Sequence, residues 1–193
     1  VGHKYSKKRK FSTKRGKCGF SWENSFYIRA SISSKVNEVI NLFGVYESTV
    51  DAKGRVLLPS PYKKTLEKVL GDGFVIKQNI FRKSLEFFPV QTWNVLSQDV
   101  GKLNTFLKSN QELITLFYYG VRNVELDSNG RFLIVKDHLT YAGIKKDIVL
   151  AGANDRIEIW DKRAYHKFIK EHSVNLEQLV EEKLGGKIPS DGQ

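Results

Sequence analysis

Residues 50–55 read VDAKGR and residues 126–131 read LDSNGR. An Asp, two loosely chosen residues and then Gly-Arg recur 76 positions apart. Outward from this pair the likeness lengthens: GVYESTVDAKGRVLLPSPYKKTL (44–66) aligns without a gap with GVRNVELDSNGRFLIVKDHLTYA (120–142). After small deletions FVIKQN (74–79) answers IVLAGA (148–153), and SLEFFPVQTW (84–93) answers RIEIWDKRAY (156–165). Two copies of a unit of about 45 residues account for this pattern.

Both copies predict one order of elements. FGVYESTV (43–50) mixes β-branched, aromatic and polar residues as a half-buried strand does. The Asp51–Gly54 turn leads into a short strand, RVLLP. Ser60-Pro61 then offers an N-cap followed by Pro at the first helical position, and Leu66, Val69 and Leu70 give a short helix its apolar stripe. Gly71 and Gly73 are expected to end it, before the strands FVIKQ and SLEFFP. Between the copies, Trp93, Leu96, Val100 and Leu103 recur at helix spacing, as do Phe106, Leu113, Leu116 and Phe117. A second amphipathic helical stretch follows the second copy. The expected organisation is a basic, disordered extension (1–40), a first repeat domain (44–91), a helical connector (92–118), a second repeat domain (120–164) and a C-terminal helical region (165–185), with a loose end.

The chain of 193 residues, 40% hydrophobic, has enough apolar material for a core. No stretch approaches the roughly 18–20 apolar residues of a membrane span. The single Cys18 cannot form an internal disulfide. A soluble cytoplasmic protein is the expectation. The net charge of +11 points to a polyanionic partner, yet residues 1–40 hold 10 Lys and Arg against 2 acidic residues, leaving 22 against 19 for the rest. The basic excess lies in one tail, which reads as a nucleic-acid-binding arm, as an extension without function, or as the product of a start codon placed too far upstream; the chain contains no Met.

An Asp at a strand end accepts backbone N–H bonds from the turn it starts, and Gly54 and Gly130 allow positive φ there. Asp51 and Asp127 are thus expected to organise the turns. Arg55 and Arg131 stand at the mouth of a rigid hairpin, where a long cation projects outward or pairs with the Asp of its own copy.

FGVYESTVDAKGRVLLPSPYK, LEFFPVQTW and GVRNVELDSNGR...IEIWD together resemble the MraZ family of bacterial transcriptional regulators, from Leu42 to about Phe168. The resemblance implies an α+β, mainly β fold: two tandem swapped-hairpin half-barrels of the SpoVT-AbrB type, forming a pseudo-twofold β-barrel core with flanking helices. It also implies closed rings that bind short direct repeats in promoter DNA, upstream of their own operon of cell-division and cell-wall genes, and so a nucleoid-associated protein. The family's DNA-contacting Arg corresponds to Arg55, with Lys53 a phosphate contact. The second turn reads Ser128-Asn129 without a Lys, which gives Arg131 a role in packing or an interface, or a weaker DNA contact. Residues 1–40 have no counterpart in the family.

Other classes fare less well. His3, His138, His166 and His172 are scattered, without the i, i+4 spacing of metal ligands, and no phosphate loop, nucleophile elbow or cysteine cluster is present. No enzyme, metal or cofactor is expected. Phe88 and Trp160, like Trp93 and Tyr165, occupy matched repeat positions and read as core rather than as a stacking platform for single strands. An AbrB-like antitoxin, or another non-catalytic assembly module, would use the same half-barrel; the antitoxin has a single copy and a disordered toxin-wrapping tail. Deleting residues 1–40 is expected to lower nonspecific DNA affinity and leave assembly intact, which light scattering and a salt titration of binding check.

Overall fold

The computed structural model describes residues 40–184. The basic tail and the expected loose C-terminal residues fall outside this range, apart from Ile40. Each repeat contributes four strands and a short helix. The first holds β1 (Val45–Thr49), β2 (Arg55–Leu57), α1 (Ser60–Thr65), a 3-10 turn (Glu67–Asp72), β3 (Phe74–Gln78) and β4 (Leu85–Pro89). Helices α2 (Val90–Gly101) and α3 (Lys108–Tyr118) follow. The second repeat holds β5 (Arg122–Val124), β6 (Arg131–Leu133), α4 (Lys136–Ala142), β7 (Asp147–Gly152) and β8 (Ile157–Asp161), and ends in α5 (Lys162–His172) and α6 (Leu176–Leu184). The fold is α+β and mainly antiparallel.

Helix α1 departs from expectation by one residue. Its N-cap is Pro59, with no side-chain capping bond, so Ser60 is already helical. The apolar stripe also divides: α1 ends at Thr65, and Val69 and Leu70 belong to the 3-10 turn that runs to Gly73 at φ 80°.

The strands pair across the repeats. A six-stranded sheet runs β1-β7-β8-β4-β3-β5, while β2 and β6 form a ribbon of their own. The leading strand of each copy, β1 or β5, leaves its own repeat to pair with β7 or β3 of the other. The registers share one pseudo-twofold axis. Val56 faces its equivalent Phe132, and Glu86 faces its equivalent Glu158. The period-2 alternation of a strand then divides the side chains between two faces. On the inner face Phe74, Ile76, Leu85, Phe87, Ile148, Leu150, Ile157 and Ile159 meet Val56 and Phe132 of the ribbon, and Leu58, Tyr62, Leu66, Ile134 and Ala142 join them. Phe87 is the hinge of this packing, stacked on Phe74 and tilted against Phe132 at 4.6 Å from each ring centroid.

The outer face is covered by helices. Trp93 stacks on Phe117 at 5.4 Å and packs with Val75 and Phe88, while Trp160 lies 5.1 Å from Phe168 of α5. Of the aromatics at matched repeat positions, Phe88, Trp93 and Trp160 are buried, while Tyr165, the counterpart of Trp93, is half-buried. At the axis, two carboxylates directly opposite each other on neighbouring strands would repel. Three cations resolve this: Lys77 lies 3.2 Å and Arg156 3.0 Å from Glu86, and Arg82 lies 3.5 Å from Glu158.

Because Phe132 and Phe87 belong to different repeats yet fill one core, truncating either affects both halves. Phe132→Ala is expected to cost about 3–5 kcal/mol. Urea unfolding followed by near-UV circular dichroism should keep a single transition at lower midpoint; separate transitions for the two repeats would contradict the shared core.

Candidate nucleic-acid interface

The two Asp-to-Arg turns sit at opposite ends of the β2–β6 ribbon. Each end is tied to the other repeat: the Ile134 N–H donates to the Gly54 carbonyl at 2.8 Å, and the Leu58 N–H donates to the Gly130 carbonyl at 3.1 Å. Gly54 has φ 83°, and an added Cβ would stand 2.6 Å from the Ile134 carbonyl oxygen. Only glycine meets both demands, the left-handed backbone and the close approach. Gly130 repeats the conformation at φ 72°.

Asp51 organises its turn through both carboxylate oxygens. Oδ1 accepts from the Lys53 N–H at 2.8 Å and from the Arg55 N–H at 2.9 Å. Oδ2 accepts from Arg55 Nε at 2.8 Å, with Nη2 at 2.7 Å. The second turn is a copy: Asp127 accepts from the Asn129 and Arg131 N–H groups and from Arg131 Nε, each at 2.9 Å. The guanidiniums therefore do not swing out alone; each is held back against its own Asp, with Arg55 33% exposed. The Arg55 N–H, then the Arg55 guanidinium, hold the Asp51 carboxyl down to about 2. Asp127 is lowered for the same reasons, led by the Arg131 N–H.

The brace leaves donors unused. A guanidinium carries five N–H groups, and Asp51 accepts from that of Nε while Nη2 lies in ion-pair contact with the same oxygen. Among the described residues no other side chain pairs with Arg55, so the outer Nη1–Nη2 edge remains open for a bidentate acceptor. Lys53 is exposed beside it.

The second turn gains a cation that its own sequence lacks. Lys63, from α1 of the first repeat, donates from Nζ to the Asn129 carbonyl at 3.3 Å and packs over Gly130. Its equivalent in the second repeat is Leu139, so no comparison of one copy with the other finds this cation. Between the turns, Leu57 and Leu133 stand on the outward face of the ribbon, opposite buried Val56 and Phe132. Strand alternation alone places them beside the arginines.

With this geometry in hand, comparison with known proteins places the chain. Over 147 residues it is 47% identical to the transcriptional regulator MraZ of Christiangramia forsetii, covering 76% of this chain and 95% of that relative. The MraZ transcriptional regulators of Flavobacterium psychrophilum and Cytophaga hutchinsonii are 44% and 35% identical, covering 75% and 73% of this chain and 92% and 93% of those relatives. The chain belongs to the MraZ family. A family model for the MraZ protein, antitoxin-like by its description, matches residues 117–186. The MraZ relatives are named as transcriptional regulators and not as enzymes. Among the described residues no group of three or more His, Cys, Asp or Glu is arranged to hold a metal ion, and no helix is long and apolar enough to cross a membrane.

The brace titrates in a defined direction. A carboxyl whose pKa is depressed on folding contributes stability that is complete above its unfolded value and is lost as pH falls through the folded one. Asp51→Asn should therefore be less stable than the wild type at neutral pH, and the difference should close between pH 3.8 and about 2. Urea denaturation across that range checks it; a gap that closes near pH 6 would assign the effect to another group.

Proposed function

We propose that this chain is a sequence-specific DNA-binding transcriptional regulator in which Arg55 reads base edges and Lys53 contacts phosphate. Its targets are short direct repeats in the promoter of its own cell-division and cell-wall operon, bound by a homo-oligomeric ring at the nucleoid. The observation that carries this reading is the Asp51-braced guanidinium, with its outer edge unpaired at the end of a rigid ribbon.

An arginine edge of this kind donates two parallel hydrogen bonds to guanine O6 and N7 in the major groove, a contact worth about 1–3 kcal/mol of discrimination. Lysine contacts to phosphate add affinity that salt weakens and carry no sequence choice. One hairpin reads too few bases to select a promoter. Several hairpins on one assembly engage repeated sites together, each further contact gaining from a high effective concentration. Large apolar side chains left exposed on the isolated chain, among them Phe43, Phe81, Phe106 and Val174, support an assembly that covers them. Asp127 and Arg131 reproduce the brace at the other end of the ribbon, and Lys63 supplies its cation.

Arg55→Ala should remove specific binding, by at least about 1–3 kcal/mol for each hairpin engaged, while circular dichroism and light scattering stay as in the wild type. The readout is a gel-shift titration at fixed salt on the duplex immediately upstream of the encoding gene. Near-normal affinity of the variant for that duplex would remove Arg55 from the reading role.

A further inference from the structure

The ribbon's outward face carries four side chains in a two-fold pattern. In the ladder Arg55 faces Leu133 and Leu57 faces Arg131, so the arginines occupy one diagonal and the leucines the other. The buried partners Val56 and Phe132 point the opposite way. Leu57 is 51% and Leu133 49% exposed: each ends its strand, one residue from the fully buried Val56 or Phe132. The pseudo-twofold axis sets both side chains on one outward surface, between the two arginines.

The surroundings specify the occupant. Lys53 stands at one end of the ribbon and Lys63 at the other, and the two carboxylates nearby, Asp51 and Asp127, are already engaged by their own arginines. A positive rim around two apolar side chains fits a polyanion that carries apolar groups. The major groove of B-DNA admits a two-stranded ribbon, and the one apolar group it displays is the thymine C5 methyl. The strand rise of about 3.3 Å is close to the base-pair rise of about 3.4 Å, so neighbours at i and i+2 address positions two base pairs apart.

Resting on the DNA-binding reading above, we propose that Leu57 and Leu133 are specificity-determining residues that contact thymine methyl groups, with Arg55 and Arg131 reading the bases beside them. The ribbon is then a four-residue reading head in which hydrogen bonds choose guanine and apolar contact chooses thymine over cytosine.

Deoxyuridine tests this, because it pairs as thymine does and lacks only the methyl. The full chain is used to select a bound duplex from a random-sequence library, and each thymine of that duplex is then replaced singly by deoxyuridine. At the positions under the ribbon, each replacement should weaken wild-type binding about fourfold, the worth of one buried methyl group. Leu57→Ala should erase the penalty in one half of the site, Leu133→Ala in the other, and the double variant in both, with the mass by light scattering unchanged. The same penalty in wild type and variants overturns the proposal, as does no penalty in the wild type or a selected site with no thymine under the ribbon. A fall in assembly mass with the penalty intact also overturns it and gives the leucines to contact between copies. Failure to select any sequence, or selection indifferent to Arg55→Ala, would instead remove the DNA-binding reading itself.

Discussion

Neither repeat completes its own sheet, and that constraint governs the rest of the structure. Strand β1 finds its hydrogen-bond partners in β7, some hundred residues onward, and β5 finds its partners in β3. A half standing alone would present unpaired strand edges and an open apolar face. The exchange also brings β2 and β6 together, since each is the next element after an exchanged strand. The ribbon exists because both leading strands cross over. Its two turns are thus fixed relative to each other by the core, through Val56, Phe132 and Phe87, rather than by the loops themselves.

Within that frame the Asp51–Arg55 pair does two things at once. The carboxylate closes the turn through two backbone N–H groups and orients the guanidinium with its other oxygen. A long side chain that is already confined loses less rotamer freedom when it meets a ligand. An ion pair at a half-exposed surface adds little stability by itself. For the proposed base-reading role, its value is aim.

Much of this was legible in the sequence, for a physical reason. The duplicated Asp-x-x-Gly-Arg fixes a local conformation, and local conformations depend on residues close in the chain: the Asp bonds the N–H groups two and four positions on, and the Gly takes positive φ. The buried aromatics at Phe88, Trp93 and Trp160 followed from matched positions in the two copies. What the residues alone leave hidden is non-local. Alignment of the copies displays two units but not their exchange of strands, which only the resemblance to the MraZ family implied, because periodicity reports which face of a strand is buried and not which strand lies beside it. Lys63 escaped for the same cause: it belongs by sequence to α1 and by position to the second turn. The capping of α1 by Pro59 in place of Ser60 is a smaller miss, decided by a backbone already set at φ −55° before the helix begins.

The symmetry of the ribbon has a price in direction. A half-turn about the axis through Val56 and Phe132 carries Arg55 onto Arg131 and Leu57 onto Leu133, leaving the pattern of its outward face unchanged. Such a surface has no head or tail: on the DNA-reading proposal, its four side chains alone favour neither of two opposed orientations on a duplex. Repeats that all point one way possess a polarity that this face cannot sense. A preferred orientation rests on what the half-turn does not preserve: a lysine within the turn at one end and a lysine borrowed from a helix at the other.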